Sequence, residues 1–483
     1  MAEASDTRRV VIVGGGFAGL FAARALSRAP VQVTLLDRAE HHLFQPMLYQ
    51  CATGIVSVGK IATPLRELLK KRRNVEFTLV EVTGIDAARR KVLARRPLGE
   101  PIEFDYDYLI LAAGVRQSYF GHDEYAAVAP GMKTIEDALK IRRRVFGSFE
   151  LAESADDPAE RAKWLTFALV GAGPTGVELA GQIREVATKT LRREYRHIKP
   201  EDARVMLFDG VSAPLAMFGE KLSALAAREL GRLGVELHMG SLVTHVDANG
   251  LEVKDHDGKV TRYPAGNVLW TAGVAAPPLA AAVAEATGAA QDRAGRLVCG
   301  PDLSLPGHPD ILVAGDLMSL DKLPGVAEVA MQTGLYAARR ITHEARGQTY
   351  DKPFRYHDLG SAAYISRGHA VVSAFKLNFG GFAGWVAWLF IHIGFLTGFR
   401  NRIGTLISWW FAFTRDLRRE RAFTIDDAPG ASGLYRRQAD AAAAGPHDGP
   451  RQAAAPRSDA PRPDAPRPDK QPSGEPTTRP QSG

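Results

Sequence analysis

Near the start of the chain the hydrophobic positions fall in two short blocks with a glycine cluster between them. Val10-Val-Ile-Val13 is a β-branched run without alternation, which predicts a strand buried on both faces. Gly14-Gly-Gly16-Phe-Ala-Gly19 follows. An alanine-rich pattern from Leu20 to Ser27 then predicts a helix, and Val31 to Leu36 predicts a second strand ending on Asp37. The same grammar returns later. Leu165 to Val170 predicts a strand, Gly171-Ala-Gly173-Pro-Thr-Gly176 a turn, Val177 to Leu191 a helix, and Val205 to Phe208 a strand ending on Asp209. Three more hydrophobic runs end at glycine: Tyr108 to Gly114, Val268 to Gly273, and Ile311 to Gly315-Asp316. The repeat is too long for a solenoid and reads as duplication of a nucleotide-binding unit. The predicted class is α/β, with two Rossmann-type dinucleotide-binding domains.

Each glycine in such a turn has a physical task. The first permits the tight turn, the second lets backbone approach a pyrophosphate, and the third lets helix and strand pack closely. The exposed N–H groups and the positive end of the helix then receive phosphate, and the acid at the next strand end receives a ribose hydroxyl. A single glycine turn also occurs with no ligand, but two copies in full strand-turn-helix-strand-acid context predict two dinucleotides. Asp209 is followed by Gly210 rather than by an arginine suited to a 2′-phosphate, which favours NADH over NADPH. Asp316, at a strand end before a helix, suits a carboxylate facing a flavin ribityl hydroxyl. The helix near Gly325 to Gly334 would aim its N-terminus at the isoalloxazine, where reduction develops negative charge.

The pattern changes after about residue 345. Leu377 to Phe399 has no Asp, Glu, Lys or Arg, and its one ionisable side chain is His392. Arg400 and Arg402 break this stretch, Ile403 to Phe413 is a second apolar piece, and Arg415, Arg418, Arg419 and Arg421 follow. The first stretch is long enough to cross a bilayer, since about 20 residues suffice. A buried core helix is a second reading, and a helix lying in the membrane interface a third. Gly380, Gly381, Gly384, Gly394 and Gly398 interrupt it, and tryptophans with flanking arginines suit a headgroup boundary, so the interfacial reading is preferred. Beyond about Gly430 an Ala/Pro/Gly-rich tail has too little apolar surface to offset ordering entropy and is predicted disordered.

Composition narrows the classes further. The 483 residues are 45% hydrophobic and 24% charged, an ordinary globular mixture with room for two or three domains. The formal charge of +7 is mild over this length and gives no argument for nucleic acid. Cys51 and Cys299 are the only cysteines, far apart and outside any CxxC, so neither a disulfide framework nor a Cys/His zinc site is predicted, and no metal is expected. The first apolar run leads straight into a glycine turn, so it reads as a strand rather than a secretory signal.

The residues resemble the type II NADH dehydrogenases, single-subunit NADH:quinone oxidoreductases, and look closest to actinobacterial members. The resemblance covers roughly residues 8 to 422. It rests on Val13 to Leu20, Phe44-Gln-Pro-Met-Leu-Tyr-Gln50, Gly171 to Gly181, Trp270 to Val274, Ala314 to Leu317 and Pro324 to Gln332. It implies hydride transfer from NADH to FAD and on to a membrane quinone without proton pumping. By resemblance, Gly14, Gly16, Gly19, Asp37 and Asp316 hold FAD, joined by Gly114, Gln45 and Pro46. Gly171, Gly173, Gly176 and Asp209 hold NADH. Glu178 matches the acid near the nicotinamide, and Tyr49, Gln50 and Gln332 border the quinone. Phe44 and Tyr49 read equally as core aromatics, Cys51 as a buried apolar group, and Glu178 as a helix salt-bridge partner. Glu328 stands where the family carries glutamine and is expected to offer a proton route to reduced quinone.

The expected domains are 1–128 with 299–345 for FAD, 129–298 for NADH, 346–425 for membrane association, and 426–483 as tail. The expected location is the cytoplasmic face of the cell membrane, as a peripheral protein with room for a homodimer. The rivals are a sulfide:quinone oxidoreductase, which needs Cys51 and Cys299 to meet at the flavin, and a nucleotide-sensing protein recruited to membranes. Disulfide reductases lack support because no paired redox cysteines follow the first unit, and a soluble ferredoxin reductase has no use for the Trp/Arg-rich C-terminus.

Overall fold

The computed structural model describes residues 7–374 and 377–427. β1 (Arg8–Val13) buries Val10 to Val13 completely or nearly so, as its unbroken apolar run demands. α1 (Phe17–Leu26) returns the chain to β2 (Val31–Asp37), which pairs parallel with β1 from Arg8 opposite Val31 to Val13 opposite Leu36. After the short helix α2 (Leu48–Ala52), β3 (Val75–Leu79) joins β2. A three-stranded meander over 81–105 then leads to β4 (Tyr108–Leu111), on the other side of β1.

α3 (Ile135–Ser154) opens on a capping box in which Thr134 and Asp137 satisfy each other's backbone N–H, and it carries the chain into the second unit. There β5 (Thr166–Val170), α4 (Pro174–Glu185), β6 (Arg204–Asp209), β7 (Val235–Met239), a second meander over 242–264 and β8 (Asn267–Trp270) follow. The strand order β7-β6-β5-β8 repeats β3-β2-β1-β4, so the duplication read from sequence is a duplication of topology. The helix expected over Val177 to Leu191 starts earlier, at Pro174 beside the glycine turn, and ends at Glu185 in a π-helical turn over Val186–Thr190. Proline without an N–H suits a first helical turn, which is why the helix extends back to it.

The chain then returns to the first sheet. β9 (Ser304–Leu305) and β10 (His308–Val313) extend it, β10 parallel to β4, giving the order β9-β10-β4-β1-β2-β3. α5 (Ala327–Ala345) lies on α1 so closely that a methyl group on Gly334 would stand 2.2 Å from the Ala18 carbonyl oxygen.

The C-terminal region is more than a membrane helix. β11 (Ser361–Ser366), β12 (His369–Ala374) and β13 (Leu377–Gly380) form an antiparallel sheet. It packs on α4, where a Cβ at Gly181 would meet the Ile365 carbonyl oxygen at 1.9 Å. The uncharged stretch from Leu377 therefore divides into β13 and α6 (Gly381–Phe395), and α7 (Phe399–Arg415) follows. Arg400 and Arg402, expected to break the stretch, lie inside the first turn of α7. The break falls just before, at Gly398, whose φ of +87° needs no Cβ. Arg402 reaches back to the Leu396 and Gly394 carbonyls at 2.9 and 2.8 Å, groups that the end of α6 leaves open. Among the described residues no helix is long and apolar enough to cross a membrane. The spanning reading of 377–399 fails on this count, since the strand at its start shortens the helix. Trp388 and Trp409 point into the core, whereas Phe382, Phe390, Phe399, Ile407 and Trp410 stand exposed. The expected tail lies outside the described residues, apart from a short 3₁₀ turn over Ile425–Asp427.

Candidate active site

Two glycine turns share the same internal bonding. Gly14 and Gly171 both have φ of +107°, and each donates its N–H at 2.8 Å to the strand-end carbonyl of Leu36 or Phe208. A Cβ on Gly19 or on Gly176 would stand 1.8 Å from the carbonyl oxygen of Gly14 or Gly171. Glycine is therefore required at these positions by the fold itself. At Gly16 and Gly173 a Cβ would meet nothing within 4 Å, so these two positions face open space in which a pyrophosphate fits. Asp37 accepts from the N–H of Gly15 and, at 2.7 Å, from that of Ala39. Asp209 does the same with Ala172 at 2.6 Å and Val211 at 3.1 Å. Each carboxylate thus clamps its own turn and keeps lone pairs for a ribose hydroxyl. Burial pushes the Asp37 carboxyl above its ordinary range, against the hydrogen bonds from Gly15 and Ala39.

Around the first turn the fold gathers residues from distant segments. His42 is fully buried, and its Nδ1 lies 3.1 Å from the Gly15 carbonyl. Its Nε2 is buried without a hydrogen-bond partner, and burial lowers the imidazole to about 4. A neutral imidazole with a free nitrogen beside a phosphate cradle fits a bound dinucleotide. Gln45 and Pro46 form the 3₁₀ turn entering α2, and the Gln45 amide reaches the Lys133 carbonyl at 3.3 Å. Burial lowers the Lys133 ammonium, with the Asp316 carboxylate as its counterweight, and burial raises Asp316 in turn. Asp316 stands in the turn after β10. Thr333 of α5 braces that turn by accepting from the Gly315 N–H at 3.0 Å. A Cβ on Gly325 would touch the Asp316 carboxyl at 3.4 Å, and Gly114 (φ +64°) opens onto free space. These groups fit a flavin: backbone for phosphate, a carboxylate and an ammonium for ribityl and ring, and a helix N-terminus close by.

A second group of predicted residues comes together where α2, α4 and β11 meet. Glu178 is buried, accepts from the Tyr364 N–H at 3.3 Å, and is pushed by burial well above the carboxylate range. Tyr49 is buried beside it, and burial and the nearby Glu178 both raise its hydroxyl. Gln50 donates to the Tyr49 hydroxyl at 3.4 Å and accepts from the Trp409 indole at 2.7 Å. Gln332 and Glu328, on α5, turn elsewhere. The Gln332 amide is bound at both ends to the backbone of His357, at 2.8 and 2.9 Å. Glu328 accepts from the Tyr356 hydroxyl at 3.4 Å, and its carboxyl is raised by partial burial. Sequence reasoning missed His42 and Lys133, which lie outside any motif, Thr333 within the helix already singled out, and a buried row on α4, Gln182 and Glu185, contacted by Arg418. The one legible signal was the i, i+4, i+7 spacing of Glu178, Gln182 and Glu185 along the helix.

The duplicated cradles on one continuous fold define a two-nucleotide flavoprotein of the pyridine nucleotide-disulphide oxidoreductase class, whose family model matches residues 8–334. The type II NADH:quinone oxidoreductase Ndh of Mycobacterium tuberculosis is 47% identical over 88% of this chain and 92% of its own length. NdhA of the same organism is 47% identical over 86% and 89%. A solved NDH2 from Plasmodium falciparum in complex with NADH shares the fold at a TM-score of 0.78 and 19% identity, covering 86% of this chain and all of that one. The chain belongs to the type II NADH:quinone oxidoreductase family.

Proposed function

We propose that this chain oxidises NADH and delivers both electrons to a quinone at a membrane surface. The supporting observation is identity of 47% across nearly the whole length of named NADH:quinone oxidoreductases, joined to two intact cradles in one chain. Bound FAD supplies the two-electron chemistry that links a hydride donor to a quinone. The protein supplies position and charge. Gly14, Gly16, Gly19 and Asp37 hold the FAD dinucleotide. Asp316, Lys133, Gly114, Gln45 and Pro46 would hold the remainder of the flavin. Gly171, Gly173, Gly176 and Asp209 orient NADH so that its nicotinamide lies near Glu178, whose burial favours the protonated form. Tyr49 and Gln50 border the quinone; Gln332, expected beside them, is tied instead to the His357 backbone and would reach the quinone only from the α5 side.

Glu328 replaces a family glutamine and acts as a proton route to the quinone. Glu328→Gln then slows quinone reduction and spares flavin reduction by NADH; unchanged turnover would refute this role. The domain limits follow the reading above: 1–128 with 299–345, 129–298, and 346–425. The exposed aromatics of α6 and α7, flanked by Arg400, Arg415 and Arg419, rest on anionic lipid at the cytoplasmic face. A homodimer is compatible with this arrangement, and the electron transfer moves no proton across the bilayer.

Anaerobic titration of the purified protein tests the proposal. NADH should bleach the flavin band and a quinone should restore it; protein that is colourless and refuses FAD would overturn it. The sulfide:quinone alternative loses its chemistry here. Cys51 and Cys299 are free thiols buried in different cores, and burial raises them to about 11 and about 12.

A further inference from the structure

One buried cation has no part in the chemistry above. Arg418 lies just past the end of α7, and its side chain is 5% exposed. One arm of its guanidinium donates to the Thr53 carbonyl at 3.1 Å and to Gln182 Oε1 at 2.5 Å. The other donates to Glu185 Oε2 at 3.2 Å. Thr53 closes α2, the helix of Tyr49 and Gln50. Gln182 and Glu185 lie on α4, the helix of Glu178. Glu178, Gln182 and Glu185 are spaced i, i+4, i+7 and so share one face of that helix, and all three are buried. Tyr364 spans the row, its N–H on Glu178 at 3.3 Å and its hydroxyl on Glu185 at 2.9 Å. Trp409 of α7 adds a second tie to α2 through Gln50, at 2.7 Å.

A buried ion pair is weak ground for stability, because apolar residues of similar volume often do as well. Geometry is what this pair adds. Arginine keeps its charge, and its planar fork bonds in fixed directions, so one guanidinium sets the spacing of three elements at once. The two cradles do not depend on it, since their turns are clamped by Asp37 and Asp209.

We infer that Arg418 is a positioning residue for quinone reduction: lodged between α2 and α4, it holds the Tyr49–Gln50 edge against the Glu178 row once α6 and α7 are seated. This rests on the reading of α2 as the quinone edge. Loss of the fork lets α2 and α7 shift relative to α4, and a shift of that kind weakens acceptor binding before it disturbs hydride transfer from NADH.

The test uses the full-length, flavin-loaded protein in phospholipid nanodiscs and compares Arg418→Met and Arg418→Lys with the wild type. Four quantities are measured: the rate at which NADH bleaches the flavin without acceptor, KM and kcat for a short-chain ubiquinone, and the Kd of a non-reducible quinone analogue from tryptophan quenching. The bleaching rates should coincide. In the Met variant KM and the analogue Kd should rise together, on the order of tenfold, while kcat changes less. The Lys variant, which keeps the charge without the fork, should recover part of the loss. A parallel fall in both half-reactions, or unchanged KM and Kd, overturns the inference. Should Arg418→Met lose its flavin, the double variant E185Q/R418M, which removes both charges, takes its place; if that also fails to hold flavin, Arg418 serves the whole fold and the inference is wrong. Wild-type protein that bleached with NADH but reduced no quinone would overturn the functional reading itself, a result distinct from any difference between variants.

Discussion

The two glycine turns are close copies in backbone and open onto different surroundings. The first is enclosed: His42 lies fully buried over it, and Lys133 and Asp316, both half-buried, close in from α3's approach and from the turn after β10. The second ends at a surface where Met217 is 59% and Leu242 63% exposed. Leu242 lies beside Gly210, close enough that a Cβ there would meet its methyl at 2.9 Å. One cradle thus suits a group that stays, and the other a ligand that enters and leaves with each turnover, because the buried area around a ligand governs its release more than its arrival. Duplication supplied one phosphate-binding device twice, and the segments packed around each copy separated the roles.

That contrast can be broken most sharply at the third glycines. Gly19→Ala and Gly176→Ala introduce the same clash, and each should cost about 1–3 kcal/mol of stability. Only Gly19→Ala should yield colourless protein; Gly176→Ala should remain yellow and lose affinity for NADH. Flavin absorbance and thermal melting decide, and loss of colour in both variants would contradict the division of roles.

Glu178→Gln should lower turnover by about a hundredfold if the carboxyl acts in proton transfer. It should also change the pH dependence of stability. Burial raises this carboxyl in the folded state, so its contribution is fully present below the unfolded carboxylate range, near pH 4, and is lost as pH rises through the folded value. Glutamine has no such loss, so the variant should melt above the wild type at pH 8 and level with it at pH 4. Melting curves at the two pH values check the sign.

A smaller effect is expected at Asp209. Asp209→Ala removes a charged hydrogen-bond acceptor worth about 1.5–3 kcal/mol, so KM for NADH should rise roughly ten- to a hundredfold with flavin content unchanged. The smallest effect belongs to the cysteines. The double variant Cys51→Ala with Cys299→Ala should keep full quinone reduction, and loss of activity with flavin retained would revive a thiol mechanism.

The cradles were legible because their requirements are local. Gly14 needs its positive φ, Gly19 its missing Cβ, and Asp37 its place at the end of the second strand, all within one strand-turn-helix-strand unit. The acidic partner of the second turn, Asp209, was readable for the same reason. His42 and Lys133 were not, because nothing near them in the chain requires an imidazole or an ammonium. The C-terminal stretch was legible in its breaks, since glycines mark them, but not in its strand. β13 exists because β12 offers it a ladder, and an uncharged run alone does not distinguish strand from helix.

By itself the amino-acid order determined the repeated unit, the acids that close each turn, and the apolar, arginine-flanked end of the chain, because each is a matter of backbone conformation or hydrophobicity over a few neighbouring positions. Tertiary structure alone decided which cradle is enclosed, where Gln332 and Glu328 turn, and that Arg418 meets Thr53, Gln182 and Glu185. Those outcomes depend on burial, and burial is set by the packing of segments hundreds of positions apart, which no local pattern encodes.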